Sequence, residues 1–251
     1  MWTRAELKAK AKDVLRISYW KAFIVSLVIA IVGGGGGGGG GFNGNFGGGN
    51  AGNNADPFNG ANNEILPIII GAIIVAVLLA LLFALALRIF VGYHVEVGGR
   101  RYFIQSAQND VDMNYLGYGF KKGRYISIIK AMLWRALLNF LWSLLLIIPG
   151  IIKSYAYRMV PYILADNPNI DYRRGVELSN EMTRGHKWRM FVLDLSFIGW
   201  YLLGTLALFI GVLFVNPYFN ATQAELYLVL RQNALDTGMC TYEELNLNPQ
   251  N

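Results

Sequence analysis

Charge is scarce in this chain. Asp, Glu, Lys and Arg make up 15% of its 251 residues, against about 25% in an ordinary soluble domain. A chain so poor in charge cannot present the usual water-facing surface, so lipid is the expected solvent. Cysteine is almost missing: Cys240 stands alone, which excludes an internal disulfide and any multi-cysteine metal site. Histidine is nearly absent as well. His94 and His186 are isolated, and HExxH, GxSxG, GxxxxGK[ST] and CxxC do not occur. With no sign of nucleophile, zinc or phosphate-loop chemistry, the sequence points away from an enzyme and implies no cofactor and no metal.

Apolar residues, in contrast, make up 54% of the chain. Residues 65–91 (ILPIIIGAIIVAVLLALLFALALRIFV) hold a single charge, Arg88. At 1.5 Å per residue this run exceeds a hydrocarbon core of roughly 30 Å, and it reads as a transmembrane helix. The formal net charge of +6 comes from basic residues flanking apolar segments, not from a separate basic domain. Attraction to the lipid bilayer and its anionic headgroups explains that distribution better than nucleic acid does.

Residues 1–21 read as a basic amphipathic helix. Thr3 and Glu6 form a capping box, with Trp2 placed to staple onto Leu7. Leu7, Ala11, Val14, Leu15 and Ser18 share one face, and Lys8, Lys10, Lys12 and Arg16 lie largely elsewhere. Such a helix suits a membrane surface, or else packing on its own protein. The long basic lead and the lack of an A-x-A site argue against a cleaved signal peptide. Residues 22–32 are too short for a span of about 20 residues. The nonaglycine tract at 33–41 is therefore expected to stay helical until it leaves the hydrocarbon, where an unsatisfied peptide group costs several kcal/mol. A Gly/Asn-rich extracytoplasmic loop follows at 38–63.

Lys and Arg mark the cytoplasmic side. Residues 1–21 carry six, residues 33–64 none, residues 92–130 six and residues 166–190 five. Residues 22–251 then form a multi-pass membrane domain. The fold expected is an all-α polytopic bundle of about six transmembrane helices with interfacial amphipathic helices, in the cell membrane, both termini cytoplasmic. The chain should fold back at Ile148-Pro149-Gly150, between a span at about 128–148 and a shorter, tilted or re-entrant one at 151–165. A further reversal is expected near Gly211. The cytoplasmic loop at 92–125 should hold a short interfacial helix before Gly117. Residues 171–184 read as an amphipathic helix ended by Gly185, with Tyr172, Val176 and Met182 toward the membrane. The tryptophans near span ends suit an interfacial belt.

Four segments carry a resemblance: YLGYGFKKGRY at 115–125, IIPGIIKSYAYRMVPYILADNPNI at 147–170, SNEMTRGHKWRMFVLDLSFIGW at 179–200 and NPYFNATQAELY at 216–227. In that order they resemble the bacterial integral-membrane family known as domain of unknown function 975. The resemblance implies a multi-pass helical membrane protein and carries over no catalytic residue.

Charges inside spans are functional candidates. Arg135, Arg158, Asp194 and Glu225 each lie six or seven residues inside the cytoplasmic end of an expected helix, about 9–10 Å deep. Two cations and two anions at one level form either an ion-pair network that fixes packing or a polar vestibule for an ion or solute, with Asn139 and Asn216 near it. Alternatively, some of them snorkel to the interface. Two function classes follow: a non-enzymatic membrane-embedded interaction or envelope-homeostasis protein, and a transporter or channel for an ion or small polar solute. Substrate, protein partners and oligomeric state are not written in the residues.

Overall fold

In the computed structural model, which describes residues 2–32, 65–206 and 210–247, every regular element among the described residues is helical. Helix α1 (Arg4–Val32) begins at the expected capping box. The Thr3 amide donates to Glu6 Oε2 at 3.1 Å, and the Glu6 amide donates to Thr3 Oγ1 at 3.3 Å. Residues 22–32 are therefore not a short span standing alone. The helix continues back through residues 17–21, and Ile17 and Trp20, 82% and 69% exposed, lengthen its apolar surface from the N-terminal side. At Ser18 the backbone leaves the helical region (φ −126°, ψ 19°). Its hydroxyl donates to the Val14 carbonyl at 2.9 Å, a bond that bends helices. The expectations for the glycines at 33–41 and the loop at 38–63 lie outside the described residues.

The face of α1 faces protein, not a bilayer surface. Leu7, Ala11, Leu15 and Ser18 are buried, and Ala22, Val25, Ser26 and Ile29 continue the stripe. The spacing of three and four residues persists past Ser18, so one ridge of small and apolar side chains packs along α9 and α3. Of the two readings of this helix, packing on its own protein is the one observed.

Helix α2 (Ile65–Leu87) passes through a π-helical turn (Arg88–Gly92) into α3 (Tyr93–Ala107). The expected loop at 92–125 is thus mostly helix, and its short helical piece, a 3-10 turn over Met113–Phe120, contains Gly117 instead of preceding it. The side chains of α2 from Ile68 onward are nearly all exposed, whereas every residue from Tyr93 to Arg100 is buried. Helix α3 escaped the apolar pattern because it buries His94, Glu96 and Arg100 along with its hydrophobic residues.

Helix α4 (Tyr125–Leu145) ends at an extended Leu146 (φ −160°, ψ 142°), and α5 (Ile147–Ala156) folds back from it. A Cβ on Gly150 would meet Ser143 Cα at 2.9 Å, so the absence of a side chain lets α5 lie against α4. The expected span at 151–165 is not one helix. It breaks at 157–159, and Pro161, in the first turn of α6 (Val160–Asp166), fits a helix start because its missing N–H would have no partner there. All seven residues of α6 are buried. Helix α7 (Tyr172–Met182) is capped by the Asp171 carboxylate and followed by Gly185 at φ +79°. Its Val176 and Met182 are buried in the protein's own core, with Tyr172 packed against it, instead of facing lipid.

Helices α8 (Lys187–Leu206) and α9 (Ile210–Asp236) cross at Gly204 and Gly211. A Cβ on Gly211 would lie 2.6 Å from Gly204 Cα. Among the described residues, four helical stretches are long and apolar enough to cross a membrane: Arg4–Val32, Ile68–Ala107, Tyr125–Leu145 and Lys187–Leu206. Their exposed Ile, Leu and Phe residues form an apolar region. Helices α3, α6 and α7, the second half of α9 and residues 237–247 assemble into a second region rich in polar contacts.

Candidate functional site

The four expected layer residues separate into three places. Arg158 lies in the turn between α5 and α6, and its Nη2 pairs with Asp194 Oδ2 of α8 at 2.5 Å. The Tyr155 hydroxyl donates to the same oxygen at 2.8 Å, and Gln223 Nε2 of α9 donates to Asp194 Oδ1 at 3.1 Å. The Arg158 guanidinium also stacks 4.6 Å from the Tyr155 ring centroid. Both carboxylate oxygens of Asp194 are thereby engaged from three elements. Arg158 Nη1 and Gln223 Oε1 are buried and have no hydrogen-bond partner among the described residues.

Arg135 pairs elsewhere. Its Nη1 lies 3.5 Å from Glu96 Oε1 on α3, and the Glu96 side chain is only 2% exposed. Glu96 was not anticipated as the partner of Arg135 because its segment read as loop. Glu225 is apart from both pairs. Residues 223 and 225 differ by about 200° around a helix, so Gln223 meets Asp194 while Glu225 faces a groove toward Lys10 and Asp13 of α1. Asn216 accepts from the Tyr201 hydroxyl at 3.3 Å, and Asn139 Oδ1 is buried without a partner among the described residues.

A further charge cluster lies in the polar region, where sequence reasoning did not look. Asp166, the last residue of α6, has a fully buried side chain. Its Oδ2 accepts from the Tyr227 hydroxyl at 2.7 Å and from Arg231 Nη1 at 2.9 Å, both on α9. Its Oδ1 accepts from Arg101 Nη1 of α3 at 3.2 Å. A buried carboxylate is tolerable only when it is paired and hydrogen-bonded, and here three donors on two helices satisfy it. Asp166 falls inside the PYILADNP element, which gives that motif a physical reason. Its Asp precedes Asn167-Pro168, at the point where α6 stops, and so reads as a loop residue.

A second clamp fixes residues 237–247 to this cluster. Arg174 of α7 donates from Nε to Glu244 Oε1 at 2.7 Å, from Nη1 to Glu181 Oε2 at 3.1 Å and from Nη2 to the Met239 carbonyl at 2.6 Å. The hydrogen bond it donates to Glu244 holds the guanidinium above its ordinary pKa despite partial burial. Asn167 Nδ2 donates to the Glu244 carbonyl at 2.9 Å. Cys240, within this segment, is buried. Burial, followed by the nearby Glu244 carboxylate, pushes its thiol up to about 11, so it is a poor nucleophile at neutral pH. Among the described residues no three His, Cys, Asp or Glu side chains group as a metal site.

Residues 128–234 match the model of the family described as Protein of unknown function (DUF975). This is the family that the motifs at 147–170, 179–200 and 216–227 resemble, and the motif at 115–125 lies outside the matched stretch. Comparison with curated proteins and with solved structures finds no match.

Proposed function

We propose that the protein is a non-enzymatic binding or scaffolding unit of the cell membrane, serving interaction or envelope homeostasis. In this reading the chain crosses the bilayer about six times, with both termini and the polar helical region in the cytoplasm. The orientation is supported by the Lys/Arg distribution together with the cross-ties among Arg101, Asp166, Arg174, Arg231 and Glu244, which hold the basic loops and the C-terminal segment on one side.

One observation carries the choice of binding over transport: the closure of Asp194 by Arg158, Tyr155 and Gln223. A solute pathway needs charges that exchange partners with the passing ion. This acid has both oxygens engaged by its own chain. The alternative, a transporter or channel, draws on the unpartnered Arg158 Nη1 and Gln223 Oε1.

Reconstitution separates the two. Asp194→Asn is expected to lower the melting temperature of the detergent-purified protein, because breaking a buried pair from one side costs about 3 kcal/mol. Arg158→Gln on that background should restore part of the loss, and neither protein should conduct in planar bilayers. A wild-type conductance abolished by Asp194→Asn, at unchanged melting temperature, overturns the binding reading in favour of transport.

A further inference from the structure

The charge balance around Asp166 is uneven. One carboxylate faces two guanidinium groups, and the excess cation borders a cleft of ≈ 210 Å³ between the ends of α3 and α9 and the C-terminal segment. Arg101, Arg231, Gln105, Gln108 and Tyr242 line it. The bonds to Asp166 use Nη1 of each arginine. Among the described residues, Nη2 of neither has a hydrogen-bond partner, and 21% and 11% of the two side chains stay exposed. Two guanidinium groups on different helices, fixed by a shared buried carboxylate, form a preorganised oxyanion receptor. Nearby amides and a phenol can supply further donors.

We propose that this cleft binds a phosphate group. The site's net charge of +1 suits an oxyanion carrying about one negative charge, either a phosphodiester or dihydrogen phosphate. Its position favours a soluble source. Arg101 follows Phe90, the last large exposed apolar residue of the α2–α3 rod, by eleven residues, which is about 16 Å along a helix. A headgroup layer is only about 5–7 Å thick. The cleft therefore lies past the headgroups of the leaflet where the exposed α2 surface ends. This site deepens the binding reading above and rests on it.

The experiment uses the full chain in zwitterionic nanodiscs, titrated with sodium phosphate against sodium chloride at constant ionic strength, with melting temperature as the readout. A ligand that binds only the native state raises that temperature saturably. Gln105→Glu, on the cleft lining and outside the Asp166 ion pairs, is expected to weaken phosphate about tenfold through like-charge repulsion, without lowering the ligand-free melting temperature. Tyr242→Phe, which removes only a hydroxyl, should weaken it by a smaller factor. A parallel arm replaces part of the lipid with phosphatidylglycerol and omits phosphate. Stabilisation there alone, erased by Gln105→Glu, assigns the phosphate group to a headgroup. Stabilisation by free phosphate assigns it to a soluble ligand. If neither arm stabilises the protein, or if Gln105→Glu leaves the response intact, the site is overturned. Bilayer conductance tests the binding reading independently, so a failed site and a failed function are distinguishable.

Discussion

At the residue scale, Asp166 is the side chain on which most depends. It is fully buried and joins α3, α6 and α9 through Arg101, Tyr227 and Arg231. Asp166→Asn keeps the shape but leaves two guanidinium groups facing a neutral amide. The expected loss is about 3–5 kcal/mol, seen as a lower melting temperature in detergent. Adding Arg231→Gln should recover part of that loss by removing the excess cation. Equal melting of wild type and Asp166→Asn would show the cluster to be energetically idle. Asp194, by comparison, was legible in the sequence because it interrupts an apolar run. Asp166 was not, because an Asp before Asn-Pro looks like an ordinary helix stop. Composition registers the presence of a charge, and only packing determines whether it is buried.

At the element scale, the glycine contact between α8 and α9 sets how closely these helices approach. Gly204→Leu would drive a branched side chain into the Gly211 backbone. Overpacking of this kind usually costs about 1–3 kcal/mol. The expected outcome is a lower yield of monodisperse protein by gel filtration, whereas Gly199→Leu, where nothing lies within 4 Å of the added carbon, should behave as wild type. The capping box of α1, the fold-back near Pro149, helix α7 and the long apolar α2 were all readable, since each rests on local chemistry within a few residues. Helix α3 was not readable. Its buried face includes His94, Glu96 and Arg100, and apolar periodicity cannot show a helix that buries its charges by pairing and hydrogen-bonding them.

At the scale of the whole molecule, an exposed apolar region borders a polar region tied by ion pairs, and orientation in the bilayer is the property to measure. In a Cys240→Ser background, Asn50→Cys, in the Gly/Asn-rich stretch of sequence, is expected to react with an impermeant maleimide on intact cells. Asn109→Cys, exposed after α3, should react only once the membrane is opened. The reverse pattern would invert the proposed topology.

The linear sequence determined which helices are long and apolar enough to cross a membrane, because hydropathy and charge content belong to a segment's own residues. It also determined helix starts and stops, through capping and turn residues that act over three or four positions. Tertiary structure alone decided the pairing of charges. Arg135 pairs with Glu96, Arg158 with Asp194, and Asp166 with Arg101 and Arg231. These partners lie 36 to 65 positions apart, and such distances are closed by helix packing, which no local pattern encodes.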